Sequence, residues 1–167
     1  DYVTSTGQTG QIFEGQQFSD ASNDETRQAD PGGAWDFSDG GLDAGTSDFT
    51  ITAWVNLSSS NTEPFPTIVW KGGGSNTSFG YWFNYQNSPD QIDLRVSDGT
   101  NRFIANSNSS IGLAKDDWEF VSVAFDREPG TDTAYFYLNG SPIGSEASAL
   151  IAGNTASGTQ DRKSTRL

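Results

Sequence analysis

The chain has 167 residues, a formal net charge of −13, 33% apolar residues and 13% aromatic residues. It contains neither Cys nor His, which excludes disulfides, thiolate metal sites and any Ser-His-Asp or Cys-His catalytic device within it. The acidity argues against nucleic acid or an anionic membrane surface as partner, because phosphate would be repelled, and no apolar run approaches the roughly 18 residues of a membrane-spanning helix.

Two readings of that acidity stay open. The charge keeps copies of a soluble extracellular protein apart, or it reflects adaptation to high salt, as the excess of Asp over Glu and the scarcity of Lys would fit. Residues 1–45 are rich in Gly, Gln, Ser and Asp, with Ile12, Phe13, Phe18, Trp35 and Phe37 as sparse apolar anchors. Short strands are expected near 15–19 and 26–29, joined by acidic loops.

From residue 48 onward the apolar residues alternate with period two, the pattern of half-buried strands. In "DFTITAWVNL" (48–57), Phe49, Ile51, Ala53, Val55 and Leu57 share one face, opposite Thr50, Thr52, Trp54 and Asn56. "TIVWK" (67–71) and "GYWFNYQ" (80–86) are shorter, aromatic-rich candidates. In "QIDLRV" (91–96), Ile92, Leu94 and Val96 oppose Gln91, Asp93 and Arg95. "EFVSVAF" (119–125) and "TAYFYL" (133–138) alternate in the same way. "SDGTN" (97–101) places an Asp-Gly turn between two strands, and Asn139-Gly140 reads as a two-residue hairpin turn before "PIGS". "GGGSNTS" (72–78) and "NSNSS" (106–110) read as loops, and "GLAKDDW" (112–118) forms at most one helical turn. Eight to ten short strands without helices predict an all-β, antiparallel β-sandwich.

A sugar-binding face needs an aromatic ring to cover apolar C–H groups beside amides and carboxylates that read hydroxyls. Trp82, Asn84 and Gln86 share one face of their strand, and Asp93 and Arg95 are placed on the same sheet. They are the candidate ligand-binding residues. The alternative is that Trp82 simply fills space on the sheet.

The stretch "SDFTITAWVNL", followed by "DDWEFVSVAFDREPGTDTAYFYLNGSPIG", resembles the laminin G-like and pentraxin-like domains of the concanavalin A-like lectin/glucanase superfamily. "GQTGQIFEGQQFSDASND" is similar to the N-terminal stretch of the same domains. The resemblance covers residues 7–156 and implies a jelly roll of two curved sheets, with Trp54 and Trp118 inside structural motifs and therefore in the core. It also implies a secreted or cell-surface module for adhesion or carbohydrate binding, with a glycan or surface protein as partner and other domains in the same polypeptide. The alternatives are a spacer domain without a ligand, or an accessory domain of a polysaccharide-degrading enzyme.

Glucanases of this superfamily carry paired carboxylates on one strand, a spacing absent here, so no catalytic residue is assigned. Many relatives hold one structural Ca2+. Asp20 and Asp24 match the acids of the N-terminal motif and are the candidate metal ligands, whereas Asp98 reads more simply as a turn residue. The domain is expected to occupy residues 1–160. "DRKSTRL" (161–167) fits the translation of a short-read sequencing adapter and is expected to be non-native, so the fold is expected to lack the last strand of the family.

Overall fold

The computed structural model describes residues 8–9, 14–15, 44–72, 80–128 and 131–148. The expected strand at 26–29, the metal candidates Asp20 and Asp24, and the segment 161–167 lie outside the described residues.

Among the described residues, ten strands follow in order. They are β1 (Gln8–Thr9), β2 (Glu14–Gly15), β3 (Phe49–Asn56), β4 (Thr67–Gly72), β5 (Gly80–Gln86), β6 (Gln91–Ser97), β7 (Arg102–Asn106), β8 (Trp118–Glu128), β9 (Thr131–Leu138) and β10 (Ser141–Ser148). Among the described residues there is no helix, and 112–117, just before β8, holds only a single parallel bridge, Leu57 to Lys115.

β1 and β2 form a small antiparallel pair. The other strands form two four-stranded sheets of order β10-β9-β8-β3, here sheet I, and β4-β5-β6-β7, here sheet II. All pairings within both sheets are antiparallel.

Alternation decides which side each residue takes. Val121, Val123 and Phe125 of β8 and Ala134 and Phe136 of β9 are buried on the inner side of sheet I. Tyr81, Phe83 and Tyr85 of β5, Ile92, Leu94 and Val96 of β6, and Phe103 and Ala105 of β7 answer them from sheet II. Ring contacts join the layers: Phe49 lies 5.0 Å from Tyr81, and Phe103 lies 5.0 Å from Phe125. Face-to-face packing through such residues makes this a β-sandwich. Aromatic rings bury large areas each, which is how a chain of low apolar content fills a core.

Two aromatic residues depart from expectation. Trp54 is exposed at 40%, and Trp118 is half-buried on the same outward side of sheet I. Both stand at odd steps from the inward Val55 and Val121, so the pleat turns them away from the core. Membership in a structural motif was the wrong guide, and the alternation that grouped Trp54 with Thr50, Thr52 and Asn56 was the right one.

The turns behave as their chemistry dictates. Asn139 and Gly140 take φ of 49° and 79°, the positive values a tight hairpin needs. Asn139 Oδ1 also accepts from the Phe120 N–H at 2.9 Å, fixing the hairpin to β8. At Asp98, Oδ1 accepts from the N–H groups of Thr100 (2.9 Å) and Asn101 (2.6 Å). That is an Asx turn closing the β6–β7 hairpin.

One side of the sandwich is sealed where β10 meets β7. The Asn108 N–H donates to Ile143 O at 2.9 Å, and the Asn106 N–H donates to the Glu146 carboxylate at 2.6 Å. Gly144 sits at this seam with φ of 135°, and a Cβ there would lie 2.7 Å from Asn108 N. Only glycine lets the two backbones approach so closely.

A second lock gathers around Asp90, itself at φ 60° as the last residue of the β5–β6 turn. Tyr85 Oη donates to Asp90 Oδ1 at 2.8 Å, and the Gly112 N–H donates to Asp90 Oδ2 at 2.8 Å. Lys115 Nζ lies 4.8 Å from the centre of the Tyr85 ring and donates to Asn87 Oδ1 at 2.5 Å.

Burial first, and then the hydrogen bond to the Asp90 carboxylate and its negative charge, raise the Tyr85 phenol well above its ordinary 10.0. A pKa raised by folding means that the native state holds the proton more tightly than the unfolded chain. Its stabilising effect is complete below about pH 10 and is lost as the pH rises further. Melting temperatures followed from pH 9 upward, to about pH 12, should fall more steeply for the parent chain than for Tyr85→Phe. Equal slopes would remove Tyr85 as a source of alkaline instability.

Candidate functional site

The five candidate ligand-binding residues all stand on β5 and β6, neighbours in the middle of sheet II. The register pairs Trp82 with Arg95, Asn84 with Asp93, and Gln86 with Gln91. Because Phe83, Tyr85, Ile92 and Leu94 point into the core, these three pairs point outward on the opposite side of the sheet. The structure therefore brings Trp82, Asn84, Gln86, Asp93 and Arg95 onto one face.

Their environments differ. Trp82, Gln86 and Arg95 are half-buried and reach solvent, whereas Asn84 and Asp93 are buried. Asp93 Oδ2 accepts from Arg95 Nε at 2.8 Å and from Asn84 Nδ2 at 3.4 Å. Asn84 Oδ1 accepts in turn from Thr67 Oγ1 at 3.0 Å. This chain of bonds runs across β4, β5 and β6 and holds Arg95 in place. The Arg95 side chain is 27% exposed, and its guanidinium carbon lies 5.6 Å from the centre of the Phe65 ring. Among the described residues, Asp93 Oδ1 and Trp70 Nε1 are buried without a hydrogen-bond partner. Such orphan groups cost about 1–3 kcal/mol each and are uncommon in folded proteins.

Three further residues join the face, and the ligand assignment from sequence omitted them. Gln91 Nε2 donates to Asn106 Oδ1 at 2.8 Å and to Gln86 Oε1 at 3.2 Å. Gln86 Nε2 donates to the same Asn106 oxygen at 3.2 Å. These three amides form a connected patch at one end of the face. At the other end, Trp70 and Trp82 face each other across β4 and β5 with ring centres 6.4 Å apart and a 31° tilt. The alternation of "QIDLRV" already placed Gln91 beside Asp93. Asn106 was hidden because it was grouped with the loop that follows it.

The arrangement is an aromatic end, a central carboxylate–guanidinium pair and an amide end on one side of a sheet. Rings of this kind cover apolar C–H surface, and amides both donate to and accept from hydroxyls. Asp93 is the only carboxylate at an outward strand position of this sheet, and Arg95 and Asn84 already occupy one of its oxygens. Among the described residues no group of three or more His, Cys, Asp or Glu side chains is placed to hold a metal ion.

A laminin G family model, described as Concanavalin A-like lectin/glucanases superfamily, matches residues 28–161. No curated protein matches the chain.

Proposed function

Because the chain belongs to this laminin G family of the concanavalin A-like lectin/glucanase superfamily, we propose that it is a non-catalytic, extracellular carbohydrate-binding module. The outward face of sheet II is its binding surface. A lectin-type superfamily supports a carbohydrate-binding or adhesion role. What carries the assignment to this face is the placement of a half-buried Trp82 beside Arg95, with the Gln86–Gln91–Asn106 amides on the same surface.

In this reading Trp82 stacks on a sugar ring, while the amides and Arg95 bond its hydroxyls. Asn84 and Asp93 lie behind them and set the position of Arg95. A neutral glycan is the favoured class, since anionic polysaccharides meet a chain of net charge −13. A structural calcium ion held by Asp20 and Asp24 belongs to the same proposal.

The test is a glycan array on the intact chain, with and without calcium, followed by titration calorimetry on any hit. Trp82→Ala should weaken binding at least tenfold, about 1.4 kcal/mol, and should leave the melting temperature within a few degrees. Arg95→Ala should weaken it less. No saturable ligand in either condition, or a ligand indifferent to Trp82→Ala, would leave sheet II without this role. Unchanged melting with calcium would remove the ion from the proposal.

A further inference from the structure

The outward face of sheet I, on the far side of the sandwich from Trp82, has a different chemistry. The inward set Val121, Val123, Phe125, Ala134 and Phe136 leaves the alternate positions of β3, β8, β9 and β10 pointing outward. Trp54 of β3 pairs in register with Phe120 of β8, and Trp118 stands two residues before Phe120. Tyr137 and Tyr135 of β9 pair with Ser122 and Ala124 of β8. Five aromatic rings thus occupy one face, and Trp54 and Tyr135 are each 40% exposed. An exposed aromatic belt of this kind marks an interaction surface more often than a bare one does.

Charge selects the occupant. Among the described residues, none of the outward positions of these four strands carries Lys or Arg. Arg95 and Arg102 are on the opposite sheet, Lys71 is buried, Lys115 lies against Tyr85, and Arg127 faces Asp132 at 3.8 Å on the inner side. Carboxylates stand at both ends of the face. Asp126 and Glu128 are outward on β8, and the exposed Asp116 and Asp117 precede Trp118.

A second copy would set two acidic surfaces against each other with no cation between them. Anionic ligands are repelled in the same way. A flat sugar chain asks for near-coplanar rings, whereas Trp54 and Phe120 are tilted by 52° at 5.2 Å. Aromatic rings with carboxylates at the margins attract ammonium and guanidinium groups through the negative faces of the rings and through charge.

We propose that this face docks a basic polypeptide segment, with Lys or Arg side chains over Trp54 and Tyr135 and paired to the carboxylates at its ends. This site is separate from the glycan face proposed above, and either can fail alone.

The experiment measures binding of the intact chain to a poly-L-lysine surface, with a dextran surface as the neutral-polysaccharide comparison. Trp54→Ala and Tyr135→Ala should each weaken poly-lysine binding about threefold or more. The double variant should weaken it further, and raised salt should do the same. Trp82→Ala on the other sheet should leave it unchanged. Both substituted residues are exposed, so folding is expected to survive, and melting curves check this. Poly-lysine binding that ignores both substitutions would reduce the effect to net charge and overturn the proposal. Capture by dextran that Trp54→Ala abolishes, or no binding to poly-lysine, would overturn it equally.

Discussion

Phe125→Ala is expected to destabilise the domain by about 3–5 kcal/mol, the usual range for deleting a buried phenylalanine. Phe125 is 1% exposed and lies in the interlayer contact, with Phe49 at 5.2 Å on its own sheet and Phe103 at 5.0 Å on the other. Alanine would remove the ring that both partners pack against, and the strands on either side cannot collapse into the gap without breaking register. Since small domains commonly have only about 5–15 kcal/mol of stability in total, this loss takes much of it. Urea unfolding should show a lower midpoint at unchanged slope, and Phe125→Leu should recover most of the difference. A cost below about 1 kcal/mol would mean that the two layers do not meet through these rings.

Asp90→Ala is expected to cost about 2–4 kcal/mol for three separate reasons. It strips the partner from the buried Tyr85 hydroxyl and from the Gly112 N–H. It also places alanine at φ 60°, a left-handed conformation that Asp and Asn tolerate better. Asp90→Asn keeps the backbone preference and one acceptor, so it should cost about 1 kcal/mol. Tyr85→Phe removes only the hydroxyl. A double-mutant cycle between positions 85 and 90 should show coupling, because the two groups share a bond. Additive losses would mean that the carboxylate acts on the 110–112 loop alone.

The layers of this fold were readable in the sequence because the pleat has a period of two and one side of each strand must be dry. "QIDLRV" and "EFVSVAF" each separate inward from outward residues without error. The same rule delivered the candidate face: once β5 and β6 pair, Trp82, Asn84, Gln86, Asp93 and Arg95 have nowhere to point except the same side. What the sequence did not carry is how deep each of them sits. Asp93 and Trp82 have the same orientation, yet one is buried and the other reaches solvent. That difference comes from Arg95, Asn84 and Thr67, whose side chains link up only once β4, β5 and β6 pair in register. The placement of Trp54 shows the opposite failure, in which a motif learned as structural overrode a pattern that local physics had already stated. Gln91 and Asn106 show a third, since amides become a patch only when register brings them within bonding distance.

The pairing of β3 with β8 joins residues more than sixty positions apart, with Phe49 opposite Phe125 and Asn56 opposite Trp118. Every other pairing within the two sheets links strands that follow directly in the chain. The meanders β4–β7 and β8–β10 can therefore assemble from local contacts. β3 must wait until a long loop closes, and such closures dominate the folding time of β proteins. Until then, the flank of β8 is an open ladder, and Phe120 lacks the ring of Trp54 beside it. On contact order β3 is the strand expected to dock last, and it is also the one that completes the outward aromatic belt, so that surface is expected to form only late in folding. A basic segment that recognises the belt would discriminate the native chain from its late intermediate, and would hold β3 in place by binding across it.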